Sequence, residues 1–149
     1  MLSDEELMDA FPGVRVDHDN AAHYRGLAER RLLINRCDDC GTFHHPPRSV
    51  CPRCWSRALT ATDVSGRGTI AMLTFLTPRP RRATGDGEGP YPVVAIELAE
   101  QPGLRVAATI IGAAKEDIVL DAPVELAWVE RDGRPVPAFR LARLGTGRT

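Results

Sequence analysis

The chain is nearly devoid of lysine: Lys115 is the only one among its 19 basic residues, the rest being arginine. That skew reflects codon choice and carries no functional information. There is no run of 18 apolar residues, which excludes a transmembrane helix. The stretch from Met1 to Ala10 holds acidic residues and no basic ones, which excludes the charged start of a secretory signal peptide. Neither sign of charge is in excess: 19 Lys+Arg face 20 Asp+Glu, for a net charge of -1. That balance argues against a protein whose main task is to grip a nucleic-acid backbone.

The usual enzyme signatures are missing too. No G-x-S-x-G is present, and neither is a phosphate-binding G-x-x-x-x-G-K-[ST]. Gly66-Arg67-Gly68 reads as a turn into a strand, and the glycine-rich run Gly85-Asp86-Gly87-Glu88-Gly89 is acidic, which suits phosphate badly. No separate histidine–carboxylate constellation is visible. A chain that is catalytic alone is therefore not expected. Apolar residues at 43% and charged residues at 26% describe an ordinary globular protein of one domain, or two very small ones.

What is present begins with cysteine. Cys37, Cys40, Cys51 and Cys54 form two C-x2-C pairs ten residues apart. Two such knuckles suit a tetrahedral Zn2+ site of four thiolates; two disulfides are the alternative, and nothing marks the chain as secreted. A full shell of four thiolates leaves no open position, so the zinc is expected to be structural. Gly41 eases the first turn, Pro46 and Pro47 stiffen the excursion between the knuckles, and Pro52 sits inside the second. His44 and His45 could replace a ligand, but with four cysteines at hand they read as solvent-facing. A cytoplasmic location, where thiols stay reduced, follows.

Around this ribbon the patterning divides the chain into a helical segment (1–31), the zinc ribbon (32–58), a barrel domain (59–142) and a flexible tail (143–149). Ser3-Asp4-Glu5-Glu6 is a capping box, with Leu2 and Leu7 placed as a hydrophobic staple. That helix must stop near Ala10, before Pro12-Gly13. A second helix is expected to follow Asp19 as its N-cap, with Gly26 weakening it and His18 and His23 on its surface. Leu32-Leu33-Ile34 reads as a short strand. Five further strands are expected: 68–77, 91–99, 104–111, 123–130 and 136–141, with a short helix over 113–120 and a tight hairpin at Asp132-Gly133. Five strands with a helix between the third and fourth form the layout of an OB-fold barrel. The fold class is thus mainly β with N-terminal helices, a zinc ribbon followed by a five-stranded OB-fold barrel. Trp128 and Phe139 are expected in its core. The long segment 78–90 carries Arg79, Arg81 and Arg82, which would meet the phosphates of an anionic ligand or else lie in a solvated loop.

The motifs Cys37-Asp38-Asp39-Cys40-Gly41, Pro46-Pro47-Arg48 and Cys51-Pro52-Arg53-Cys54, followed by Ser65-Gly66-Arg67-Gly68-Thr69 and Pro90-Tyr91-Pro92, carry a resemblance. The chain resembles the small proteins in which a rubredoxin-like zinc ribbon precedes an acyl-CoA-associated OB fold, over about residues 20–142. Trp55 departs from that pattern, standing where glycine is common. The segment 118–123 also lacks a glycine often seen there. The resemblance implies a thiolase-like partner, either a thiolase or a thiolase-like aldolase that cleaves steroid side chains as CoA thioesters. It implies a hetero-oligomer such as a heterotetramer, a CoA thioester as ligand of the complex, and no membrane. Some members are fused to a hydratase domain; this chain is expected to lack one and to act as a separate subunit. Arg79, Arg81 and Arg82 would then lie over the CoA phosphates. The competing reading is a nucleic-acid-binding zinc-ribbon/OB-fold protein, which would need a basic groove with stacking aromatics.

Overall fold

The computed structural model describes residues 1–77 and 90–143. Two short helices come first. α1 (Asp4–Ala10) begins at the capping box: the Glu6 amide donates to Ser3 Oγ, and the Glu6 carboxylate accepts from the Ser3 amide at 2.8 Å. α2 (Ala21–Ala28) starts one residue later than expected. Asn20 is its N-cap, and Asp19 caps nothing. The turn ahead of it is built by Asp17, whose Oδ1 accepts from the amides of Asp19 and Asn20 at 3.0 and 3.1 Å.

Gly26 sits inside α2 because α2 presses on the next strand. A Cβ there would lie 2.8 Å from the Arg31 carbonyl oxygen and 2.8 Å from Leu33 Cγ. The glycine that weakens the helix locally is what lets it approach β1 (Leu33–Cys37).

β1 is the centre of a three-stranded antiparallel sheet with β2 (Phe43–His44) and β3 (Leu59–Asp63). β3 runs beside β1 from Cys37↔Leu59 to Leu33↔Asp63, so the ribbon's pairing continues to Asp63. Neither β2 nor β3 has a period of its own to announce it; each exists because β1 offers both edges.

The second sheet has five strands in the order β6-β5-β4-β7-β8. They are β4 (Arg67–Leu76), β5 (Tyr91–Leu98), β6 (Arg105–Ala108), β7 (Pro123–Arg131) and β8 (Arg134–Leu141). A parallel bridge, Ile110 to Phe139, joins its two ends. The Ile111 amide donates to the Phe139 carbonyl and the Phe139 amide to the Thr109 carbonyl, both at 2.9 Å. The five strands therefore close as a barrel with an OB layout. β4 pairs with both β5 and β7, and its register slips between Ile70 and Met72. That bulge reverses the facing of the strand: Ile70 is buried, Met72 is exposed, and Leu73 and Phe75 return to the core. β7 and β8 turn at Asp132 and Gly133, both left-handed at φ 51° and 74°. The helix expected over 113–120 is only a 3-10 turn, Lys115–Asp117. Ala114 has no side chain to cap it, and Ile118 is drawn into the core.

One apolar core runs through all parts. Leu27 of α2 and Leu32 and Ile34 of the ribbon pack with Ile70, Ile96, Val124 and Phe139 of the barrel, while Trp128 packs against the same cluster. Polar clamps reinforce the seam. The Gln101 carboxamide donates to the Phe43 carbonyl and accepts from the Phe43 amide, both at 2.9 Å, imitating an extra strand beside β2. Arg31 grips Asp63 with two nitrogens, and Glu100 accepts from the Ser65 amide and hydroxyl. No helix among the described residues is long and apolar enough to cross a membrane.

Candidate metal centre and its surroundings

The four cysteines converge as their spacing predicts. Their sulfurs all lie within 4.8 Å of one another. Cys37 Sγ is 3.5 Å from Cys54 Sγ, and Cys40 Sγ is 3.6 Å from Cys51 Sγ. These separations exceed the ~2.05 Å of a disulfide and suit thiolates at about 2.3 Å from one zinc ion. Cys37 and Cys51 are buried, Cys40 and Cys54 exposed. The donor set is pure thiolate, and the chain holds it from two sides.

The two knuckles are built alike. In the first, the Gly41 amide donates to the Cys37 carbonyl and the Cys37 amide to the Thr42 carbonyl, both at 2.9 Å. In the second, the Trp55 amide donates to the Cys51 carbonyl at 2.9 Å and the Cys51 amide to the Ser56 carbonyl at 2.8 Å. Each turn closes through a left-handed residue, Gly41 at φ 74° and Trp55 at φ 65°. For a residue with a side chain that conformation costs roughly 1–2 kcal/mol. The Arg53 amide donates to Cys51 Sγ at 3.4 Å. The Thr42 hydroxyl and amide hold the Cys40 thiol below its ordinary pKa, while the neighbouring thiols push that of Cys54 up. Across the knuckles, Ser56 donates to Asp39 and Thr60 to Asp38. Asp38 and Asp39 therefore tie the first knuckle to the segment after the second.

The histidines are not where solvent would have them. His44 is 7% exposed, and His45 is half-buried. Neither ring nitrogen of His44 and not Nδ1 of His45 makes a hydrogen bond of good geometry. His23 is also half-buried, with Nδ1 donating to the Leu33 carbonyl at 2.8 Å. Only His18 is fully at the surface, as expected. The expectation of exposed imidazoles at 23, 44 and 45 fails because α2 and the barrel cover the ribbon, which spacing along the chain does not reveal. His23 and His45 lie against one another, 5.1 Å between centroids with the rings tilted by 50°. They line a cavity of about 50 Å³ with Leu32, Val106, Pro137 and Phe139. This volume suits a water-sized guest and not a substrate. Burial lowers the pKa of all three imidazoles, that of His45 to about 4 with the His23 and His44 charges adding to the effect.

Larger concavities are open grooves. One of about 600 Å³ lies between α1 and α2, and another of about 730 Å³ lies beside the 3-10 turn. Neither lining contains a serine, threonine, cysteine or lysine that could serve as nucleophile. Arg79, Arg81 and Arg82 lie outside the described residues. The strands on either side of their segment meet at Leu76↔Tyr91, both residues exposed.

Comparison with known proteins places these features together. Residues 25–60 match the model of the ChsH2 rubredoxin-like zinc ribbon domain, and residues 61–129 match that of the ChsH2 C-terminal OB-fold domain. A probable enoyl-CoA hydratase alpha subunit of Thermomonospora curvata is 34% identical over 132 residues. The chain spans 40% of that relative's length, and the match covers 88% of the chain. A DUF35 domain-containing scaffold protein of Methanocaldococcus jannaschii is 30% identical over 114 residues, which is 74% of this chain and 78% of the relative. Among solved structures, a chain of the Ltp2-ChsH2(DUF35) aldolase superposes with a TM-score of 0.74 at 32% identity, covering 86% of this chain and 98% of that one.

Proposed function

The chain belongs to the ChsH2/DUF35 family, and from that membership we propose that it is a non-catalytic accessory subunit of a thiolase-like enzyme acting on acyl-CoA thioesters. The observation that carries this reading is the match to a chain of the Ltp2-ChsH2(DUF35) aldolase along 98% of that chain. The reaction of the complex is retro-aldol cleavage, with the CoA thioester of a sterol side chain as substrate. In such a step a base takes the β-hydroxyl proton, the Cα–Cβ bond breaks, and a carbonyl product leaves. The electron pair stays on the thioester enolate, which is then protonated. The partner supplies the base.

What this chain contributes is surface and rigidity. Cys37, Cys40, Cys51 and Cys54 hold a structural zinc, which orders a ribbon with little core of its own. The barrel, tied to the ribbon through Gln101 and to the connection between the sheets through Glu100, presents one rigid body to the partner. Arg79, Arg81 and Arg82 supply positive charge for the CoA phosphates. The complex is a heterotetramer working in the cytoplasm, where the thiols stay reduced.

The test is purification of the tagged chain from its source cells, followed by assay of the complex. A stoichiometric thiolase-like protein is expected, and the complex should release a shortened acyl-CoA from a β-hydroxyacyl-CoA. Replacing Arg79, Arg81 and Arg82 together with alanine should raise KM for the thioester and leave kcat nearly unchanged. A chain recovered alone, with zinc intact and at gentle salt, would count against this function.

A further inference from the structure

At the second knuckle the backbone favours glycine, yet the residue is tryptophan. Gly41 and Trp55 hold equivalent places: each follows the second cysteine of its pair, each is left-handed, and each donates its amide to the first cysteine's carbonyl at 2.9 Å. Nothing within the molecule rewards the larger side chain. Trp55 is 82% exposed and makes no aromatic or cation–π contact among the described residues. Pro52 beside it is exposed as well. Arg53 and Arg57 flank it, both exposed and neither ion-paired among the described residues. The tip of the ribbon is therefore an apolar knob with uncompensated positive charge on its rim, held rigid by the metal site beneath it.

We propose that Trp55 is the anchor by which the zinc ribbon docks on the thiolase-like partner, entering an apolar pocket whose carboxylate rim meets Arg53 and Arg57. This inference rests on the function proposed above. An exposed tryptophan with arginine neighbours is the composition of an interface hot spot. The same pair of residue types also serves single-stranded nucleic acid, but one feature favours a protein. The ribbon offers no second exposed aromatic to extend a stacking platform: Phe43 is half-buried, with the Arg36 guanidinium 5.2 Å from its ring centre.

The test uses the full chain, zinc-loaded, and the thiolase-like protein that co-purifies with it. The W55G variant keeps the left-handed turn, so its zinc stoichiometry should be unchanged and its thermal midpoint equal to or above that of the wild type. Its Kd for the partner should rise by about 30-fold or more. The double variant R53E/R57E should associate about tenfold more slowly, with a weakened salt dependence. In a W128F background, acrylamide quenching of Trp55 should fall when the partner is added. Equal binding by W55G and wild type, or quenching that the partner leaves unchanged, overturns the anchor alone. A wild-type chain that binds no thiolase-like protein overturns the function with it. Loss of oligonucleotide affinity in W55G, with partner affinity intact, assigns the knob to nucleic acid instead.

Discussion

At the residue scale, the same amino acid can be a local defect and a tertiary requirement. Gly26 lowers the intrinsic stability of α2 by about 1 kcal/mol relative to alanine. Its missing Cβ is nonetheless what allows α2 to reach β1, because any side chain would press on the Arg31 carbonyl at 2.8 Å. G26A should therefore destabilise the chain by about 1–3 kcal/mol, read as a lower urea midpoint, although it improves helix propensity. A stabilised variant would show that the contact between α2 and β1 yields easily. Trp55 presents the opposite case: its backbone favours glycine, and no internal contact explains its indole. Both residues stand out in the sequence, but the reason for each lies in what packs, or fails to pack, around it.

At the scale of elements, the ribbon is the part most legible in the sequence and also the least independent. Two C-x2-C pairs announce four converging sulfurs, and they do converge. The strands around them were not visible: β2 is two residues long, and β3 has no marked alternation. They form because β1 has two free edges and because Gln101, 58 positions from Phe43, completes the outer one. Leu32 and Ile34 of this segment lie in the common core. Metal removal should therefore be felt throughout the chain. Stripping zinc with a chelator, or making C51S, should cost several kcal/mol and lower the thermal midpoint by more than about 10 °C. The fluorescence of Trp128, which packs against the barrel core, should report the same transition. A Trp128 signal that melts unchanged without zinc would show the barrel to be autonomous.

At the scale of the whole molecule, two imidazoles mark the seam where helix, ribbon and barrel meet. His23 comes from α2 and His45 from the ribbon, against Val106 and Phe139 of the barrel. Burial keeps them neutral, with His45 at about 4. An unfolded histidine titrates near 6.5. Between these values the unfolded chain binds a proton that the folded chain refuses, so stability falls as pH drops through that window and levels off below about 4. The loss attributable to His45 between pH 7.5 and pH 5 should be about 2 kcal/mol. Urea midpoints at pH 7.5, 6 and 5, with zinc content followed in parallel, would measure it. H45Q should flatten the slope without changing zinc stoichiometry; an unaltered slope would acquit His45. The capping box, the four cysteine ligands, the alternation of Val94, Ile96 and Leu98 against Val93 and Ala95, and the Asp132-Gly133 hairpin were all decided by the sequence itself. Each depends on residues a few positions apart, where chain geometry leaves little choice. The burial of His23, His44 and His45, the bulge after Ile70, the closure of the barrel through Ile110 and Phe139, and the exposure of Trp55 were decided only by the tertiary structure. Each depends on which distant segments share a surface, and the pairing of surfaces is settled by packing between elements and not by spacing along the chain.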